Sequence, residues 1–346
     1  MTLHFATFFD KNYIPKGLIL LESLEKHTQD FRLHVLCLDT ETKTFLDALQ
    51  NIHLVTFVLS EVENYYPELA QAKSNRSKVE YYFTLSPFLP DYILTKTPEI
   101  EFVTTLDADI MFFSDPSKLF AQEFVGKSIL ISPHRFTNVL KYKEMYGKYN
   151  VSFQSFRNDE NARKCLQWWK EKCVEWCYDV LEEDRFADQK YLDTWPERFE
   201  GVAIIQNPGA ALAPWNLAPA DMKEENGEVL IQGQPIIFYH YHYFRLVTKN
   251  IVRHNLASYH ISPNRLITNA IYKPYLEKLN AIEKKHGLTD AAIRYSNNSM
   301  WKRILGMMAE EEFYLIVNGK FINCNLTFVN PIYNSIKAVK NFLWRT

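Results

Sequence analysis

Two carboxylates one residue apart, Asp107 and Asp109, interrupt an apolar run between Phe102 and Phe113. A strand rises about 3.3 Å per residue and alternates faces, so in a continued strand both side chains point the same way. Like charges on one face of an apolar element are costly unless a cation lies between them. A divalent metal is the simplest such cation, because hard ions take carboxylate oxygens. An ion at a strand end suggests in turn a substrate that carries phosphate. The competing reading is a strand end with two solvated carboxylates.

Other segments offer chemistry less sharply. Asp188 and Gln189 lie in a polar turn that reads equally as a helix cap. Arg76 and Lys78 precede a helix leading toward the Asp107 strand, and also fit a solvated charge run over 73–78. Asn207-Pro208-Gly209 and Ala213-Pro214-Trp215-Asn216 form a tight polar-aromatic loop pair, in which Trp215 either floors a sugar site or plugs the core. Cys165, Cys173 and Cys177 share one helical segment, but their spacing matches no common zinc pattern and reads as buried thiols.

The elements that must position these residues follow a regular order. Strand patterns over 3–9, 33–38 and 54–59 alternate with helical patterns over 14–26 and 41–49. This β-α-β-α-β alternation predicts an α/β fold, a parallel sheet with crossover helices. Such a sheet binds ligands at the carboxyl ends of its strands. The spacing further predicts a helix over 78–89, a strand over 128–133, a long helix over 157–182, a strand over 235–244 and a helix over 272–286. No Pro/Gly/Ser linker or repeat divides the chain. One catalytic domain, 1–255, with a mainly helical C-terminal extension, 256–346, is the economical reading.

Composition narrows the function. Hydrophobic residues make up 47% and charged residues 23%, ordinary values for a folded soluble protein. Aromatics reach 15%, a surplus that suits large cores and sugar- or base-stacking sites alike. A net charge of −2 gives no attraction for nucleic acid, and only 10 glycines argue against a glycine-rich phosphate loop. Five cysteines without a framework fit a reducing compartment. The start, Met1-Thr2-Leu3-His4, carries no signal-peptide pattern, and no apolar run approaches the ~20 residues of a membrane span. The expectation is a cytoplasmic protein. Its tail, 332–346, has an apolar face beside Lys337, Lys340 and Arg345, and reads as a helix packed on the catalytic domain or as a peripheral contact with an anionic membrane.

Four segments, in order, carry a resemblance. Phe5-Ala6-Thr7-Phe8-Phe9-Asp10-Lys11-Asn12-Tyr13, Leu106-Asp107-Ala108-Asp109-Ile110, Phe186-Ala187-Asp188-Gln189-Lys190-Tyr191-Leu192 and Phe238-Tyr239-His240-Tyr241 resemble motifs of GT-A-fold glycosyltransferases of the glycogenin and lipopolysaccharide-galactosyltransferase type. The resemblance spans residues 3 to about 245. It implies a GT-A fold, with a mixed, mostly parallel sheet flanked by helices, and a nucleoside diphosphate sugar donor, with UDP favoured. It also implies a Mn²⁺ or Mg²⁺ ion on Asp107, Asp109 and His240, and an acceptor that is a glycan or a lipid-linked glycan. His242, two residues on, would share the strand face and could substitute for His240. Thr7 and Phe8 would offer backbone groups to the base, on which Tyr13 would stack, and Ala108 lies within the metal motif. Arg76 or Lys78 would contact the donor's phosphate or sugar. Asp188, assisted by Gln189, would face the donor sugar. The family's late His-x-x-Gly-x-x-Lys-Pro-Trp pattern is not reproduced, which leaves Arg245 or Lys249 as candidates to grip the diphosphate.

Two other functions compete. A phosphatase with Asp107 as nucleophile and Asp109 as acid/base would carry this motif on its first strand. A non-enzymatic carbohydrate-binding protein explains the aromatics but not the paired carboxylates. The leading expectation is a metal-dependent glycosyltransferase, with a place in cell-surface polysaccharide synthesis.

Overall fold

A computed structural model describes residues 2–217, 221–248, 251–288, 313–317 and 320–323. The chain divides into two compact units, Met1–His240 and Tyr241–Thr346.

The first unit begins as the sequence predicts. Strand β1 (Leu3–Phe9) runs into helix α1 (Ile14–His27), β2 (Phe31–Cys37) into α2 (Thr40–Ala48), and β3 (Leu54–Val58) completes the alternation. Caps set the boundaries: Asp39 accepts from Thr42 N and starts α2, while Pro15 sits in the first turn of α1. Four short helices follow, α3 (Leu59–Tyr65), α4 (Leu69–Asn75), α5 (Lys78–Leu85) and α6 (Phe88–Lys96). The single helix expected over 78–89 is therefore two. Pro87 has no N–H to continue the ladder, and α5 ends just before it.

Strand β4 (Phe102–Leu106) turns into β5 (Ile110–Phe112), and α7 (Ser117–Glu123) leads to β6 (Ile129–Pro133) and β7 (Tyr149–Arg157). Helix α8 (Glu160–Glu175) is capped by Asp159, whose carboxylate accepts from Ala162 N. The long helix expected over 157–182 is thus shorter at both ends, because Arg157 belongs to β7 and Trp176 is extended. After α9 (Trp195–Arg198) come β8 (Val202–Ile204), a small antiparallel sheet of β9 (Met222–Glu225), β10 (Glu228–Ile231) and β11 (Gln234–Pro235), and then β12 (Phe238–His240).

The main sheet has seven strands in the order β3-β2-β1-β4-β7-β6-β8. All neighbours are parallel except where β7 runs antiparallel to β4 and β6. Helices α5, α6 and α8 pack over one core that includes Leu85, Phe88, Leu94, Val103, Phe156 and Trp169. The three cysteines of the α8 region are buried free thiols. Beside the main sheet, β5 pairs antiparallel with β12.

The second unit contains β13 (Arg245–Thr248), β14 (Ile251–Arg253), β15 (Phe313–Val317) and β16 (Lys320–Asn323) in one antiparallel sheet. Helix α10 (Arg265–Ile267) continues through a π-helical turn into α11 (Lys273–His286), which buries Tyr275, Leu276, Leu279 and Ile282. Tyr241 stacks on Tyr275 with ring centroids 3.7 Å apart. Among the described residues no helix is long and apolar enough to cross a membrane. Lys249 and the tail, 332–346, lie outside the described residues.

Candidate metal and donor site

The two carboxylates converge through a turn, not through strand alternation. The ladder of β4 ends with Asp107 N donating to Ser152 O at 3.0 Å, and Ile110 N donates back to Asp107 O at 3.3 Å across buried Ala108. This corrects the expectation of a continuous strand: the turn aims both side chains at the carboxyl end of the sheet. The Asp107 side chain is 40% exposed and that of Asp109 only 11%.

Pairing of β5 with β12 delivers the third group. His240 lies opposite Ile110 in the register, one residue from Asp109, and its N–H donates to Leu212 O at 2.8 Å. Its Nε2 is 3.1 Å from Asp109 Oδ1 and 3.4 Å from Asp107 Oδ2. The edge of buried Trp215 meets the imidazole at 5.5 Å between centroids, and His134 holds the same indole from another side at 5.1 Å. Trp215 is thus a wall for His240 and, at 4% exposure, offers little open face for a sugar.

These three donors fit one divalent ion. The donor atoms of Asp107, Asp109 and His240 all lie within 4.8 Å of one another, so small side-chain movements bring them onto a common ion. Two carboxylates and one imidazole suit Mn²⁺ or Mg²⁺ and leave positions for phosphate oxygens. Electrostatics agree with a site built for positive charge. Partial desolvation raises the Asp107 carboxyl, the pull of His240 lowers it and the like charge of Asp109 raises it again, so that the net direction in this part-exposed group is upward. For His240, burial opposes protonation, but Asp109 and Asp107 outweigh it and raise its pKa. Lys16 Nζ stands 3.6 Å from Asp109 Oδ2.

His242 is outside this group. The strand ends at His240, the chain turns at His242, and Tyr243 takes a left-handed φ of 58°, so the two histidines do not share a strand face. The His242 carbonyl accepts from Asn255 Nδ2 within the second unit.

Asp188 is buried and bonded to Ser86, which lines a small recess with Ala6, Phe8, Thr105, Asp107 and Gln154. Ser86 Oγ donates to Asp188 Oδ2 at 2.5 Å, and Trp169 Nε1 donates to its carbonyl at 2.9 Å. Burial pushes the Asp188 carboxyl up to about 7; the Ser86 hydrogen bond works against this and the charge of Asp107 adds to it. Gln189 follows Asp188 directly, at the N-cap of a short 3-10 turn. Its Nε2 donates to Tyr146 O at 2.9 Å, which ties the turn to the segment ending at Tyr146.

The remaining candidates divide. Phe8 lines the recess, Thr7 is buried beside it, and Tyr13 is 40% exposed with Lys16 Nζ 4.5 Å from its ring centre. Lys78 Nζ is 2.8 Å from Asp10 Oδ2, at the loop after β1; that contact and one with Tyr82 raise its pKa. Arg76 instead ties α5 to the end of α8, donating to Thr84 Oγ1 at 2.6 Å and Val174 O at 2.7 Å. Asn207 Oδ1 accepts from Gly209 N, and a Cβ at Gly209 would sit 1.9 Å from Pro235 O, so the loop needs glycine for this close approach. Lys16 and Ser86 were not singled out from the sequence. A lysine inside the apolar start of α1, and a serine directly before Pro87, were the signals available.

No family model matches the sequence. The chain is 32% identical over 280 residues to the uncharacterized protein YfnD of Bacillus subtilis (strain 168), covering 80% of this chain and 89% of that protein. It is 32% identical over 260 residues to the uncharacterized protein YfnF of the same organism, covering 73% and 85%. The structure is similar to that of galactosyltransferase LgtC in complex with donor and acceptor sugar analogs, with a TM-score of 0.51 and 14% identity over 81% of this chain and 96% of that one. The chain belongs to the family of YfnD and YfnF and has the GT-A fold of glycosyltransferases.

Proposed function

We propose that the protein is a metal-dependent glycosyltransferase. It moves a sugar from a nucleoside diphosphate sugar, UDP-sugars first among them, to a glycan or lipid-linked glycan acceptor in cell-surface polysaccharide synthesis. The observation that carries this reading is the convergence of Asp107, Asp109 and His240 at the carboxyl end of β4 in a GT-A fold. LgtC, which shares the fold, binds donor and acceptor sugar analogs.

Mn²⁺ or Mg²⁺ on these three residues would neutralise the charge that develops on a leaving diphosphate. The chain itself does the rest. Asp107, the more exposed carboxylate, and Asp109, the buried one, orient toward one point with His240 between them. Phe8 and Ser86 line a small recess beside Asp107. Asp188, whose proton is held up to about pH 7, can both accept from and donate to sugar hydroxyls near neutrality. A lipid-linked acceptor would call for work at the cytoplasmic face of a membrane, with the tail 332–346, which lies outside the described residues, as a peripheral contact.

A panel of UDP-, GDP- and CMP-sugars, assayed by thermal shift and by hydrolysis in Mn²⁺, tests the reading. One donor should stabilise the protein and be hydrolysed slowly, and EDTA or Asp109→Asn should abolish both effects. The absence of any shift with every donor, with and without metal, overturns it.

A further inference from the structure

We infer that Lys16 makes binding of a divalent ion at Asp107, Asp109 and His240 depend on an anionic partner, a diphosphate. This rests on the metal-site reading above. Lys16 is the third residue of α1 and only 3% exposed. A cation in the first turn meets the positive end of the helix dipole, and lysines are almost never fully buried unless paired. The placement is unfavourable on both counts. It is nonetheless enforced: Gly17 lets α1 approach so closely that a Cβ there would lie 2.5 Å from the Phe9 ring.

Two neighbours offset the cost: the Tyr13 ring, whose centre is 4.5 Å from Lys16 Nζ, and Asp109, which is shared between two groups. Its Oδ2 lies 3.6 Å from Lys16 Nζ, and its Oδ1 lies 3.1 Å from His240 Nε2. An ion that takes Asp109 must therefore compete with a resident ammonium and then sit beside it. With His240 neutral as a ligand, two carboxylates and one ammonium carry one net negative charge, and a divalent ion converts this to one net positive charge. Such a surplus is costly in a partly desolvated site, and a diphosphate cancels it. Lys16 thus weakens metal binding alone and favours joint binding of metal and nucleotide.

The test titrates Mn²⁺ by electron paramagnetic resonance against the full chain, with and without UDP, for wild type, Lys16→Met and Lys16→Arg. Lys16→Met should bind Mn²⁺ alone about tenfold more tightly than wild type and gain less affinity from UDP. Lys16→Arg, which keeps the charge, should track wild type. Circular dichroism melts verify folding, and Lys16→Gln replaces the methionine variant if that variant does not fold. Wild type that binds Mn²⁺ with an affinity indifferent to charge at position 16 overturns this inference alone. No Mn²⁺ binding by wild type with UDP, GDP or CMP overturns the metal-site reading and the inference together.

Discussion

At the scale of single side chains, the site is defined by how each charge finds a partner. His240 bridges both carboxylates, whereas His242 belongs to the second unit, where its carbonyl accepts from Asn255. His240→Ala should therefore lower Mn²⁺ affinity at least tenfold, and His242→Ala should leave it within about twofold, by direct Mn²⁺ titration. Asp188 offers a test independent of metal. A carboxyl whose pKa rises on folding holds its proton more tightly in the folded state. Its contribution to stability is full below the ordinary carboxylate range and is lost as pH climbs through about 7. Asp188→Asn removes this titration while retaining an acceptor for Ser86. In EDTA the variant should be more stable than wild type at pH 8, by on the order of 1–4 kcal/mol, with the gap closing toward pH 4. Urea melts across that range measure it, and a pH-independent difference would contradict the buried-carboxyl account.

At the scale of elements, legibility followed polarity. The β-α-β-α-β opening could be read because its strands are apolar and its helices capped, and the main sheet is mostly parallel as expected. Strand β7 was missed because it buries polar side chains, Asn150, Ser152, Gln154 and Ser155 among them. Ser155 Oγ meets Thr104 Oγ1 at 2.8 Å and Thr105 Oγ1 donates to Gln154 Oε1 at 2.9 Å, so the strand alternates in a way that resembles a loop. The role of β12 was legible as a histidine-bearing strand, but not its pairing with β5, which sequence spacing does not encode. That pairing depends on the loop before it. Gly209 O accepts from Ile237 N at 2.7 Å while its Cα abuts Pro235 O. Gly209→Ala should cost roughly 1–3 kcal/mol in urea unfolding and weaken Mn²⁺ binding by shifting His240. Loss of stability with unaltered Mn²⁺ affinity would mean that the loop does not set the histidine.

At the scale of the whole molecule, Lys16, Asp107, Asp109, Asp188 and His240 all belong to the first unit, so ligand binding is a stability term for a body of about that length. A ligand that binds only the folded state stabilises it by about 2.7 kcal/mol at one hundred times its dissociation constant. For a unit of 150–250 residues, each kcal/mol moves the midpoint by roughly 2–4 °C. UDP with Mn²⁺ should therefore raise the melting temperature by roughly 5–10 °C at that saturation. Mn²⁺ alone, at the same concentration, should raise it far less, because Lys16 already occupies one side of Asp109. Linkage is reciprocal: whatever factor UDP adds to Mn²⁺ affinity, Mn²⁺ adds to UDP affinity. UDP in EDTA should accordingly lose most of its effect. Differential scanning fluorimetry over a grid of Mn²⁺ and UDP concentrations reads both directions of this coupling. A UDP shift of equal size with and without the ion would break the link between carboxylates and diphosphate on which the whole reading depends.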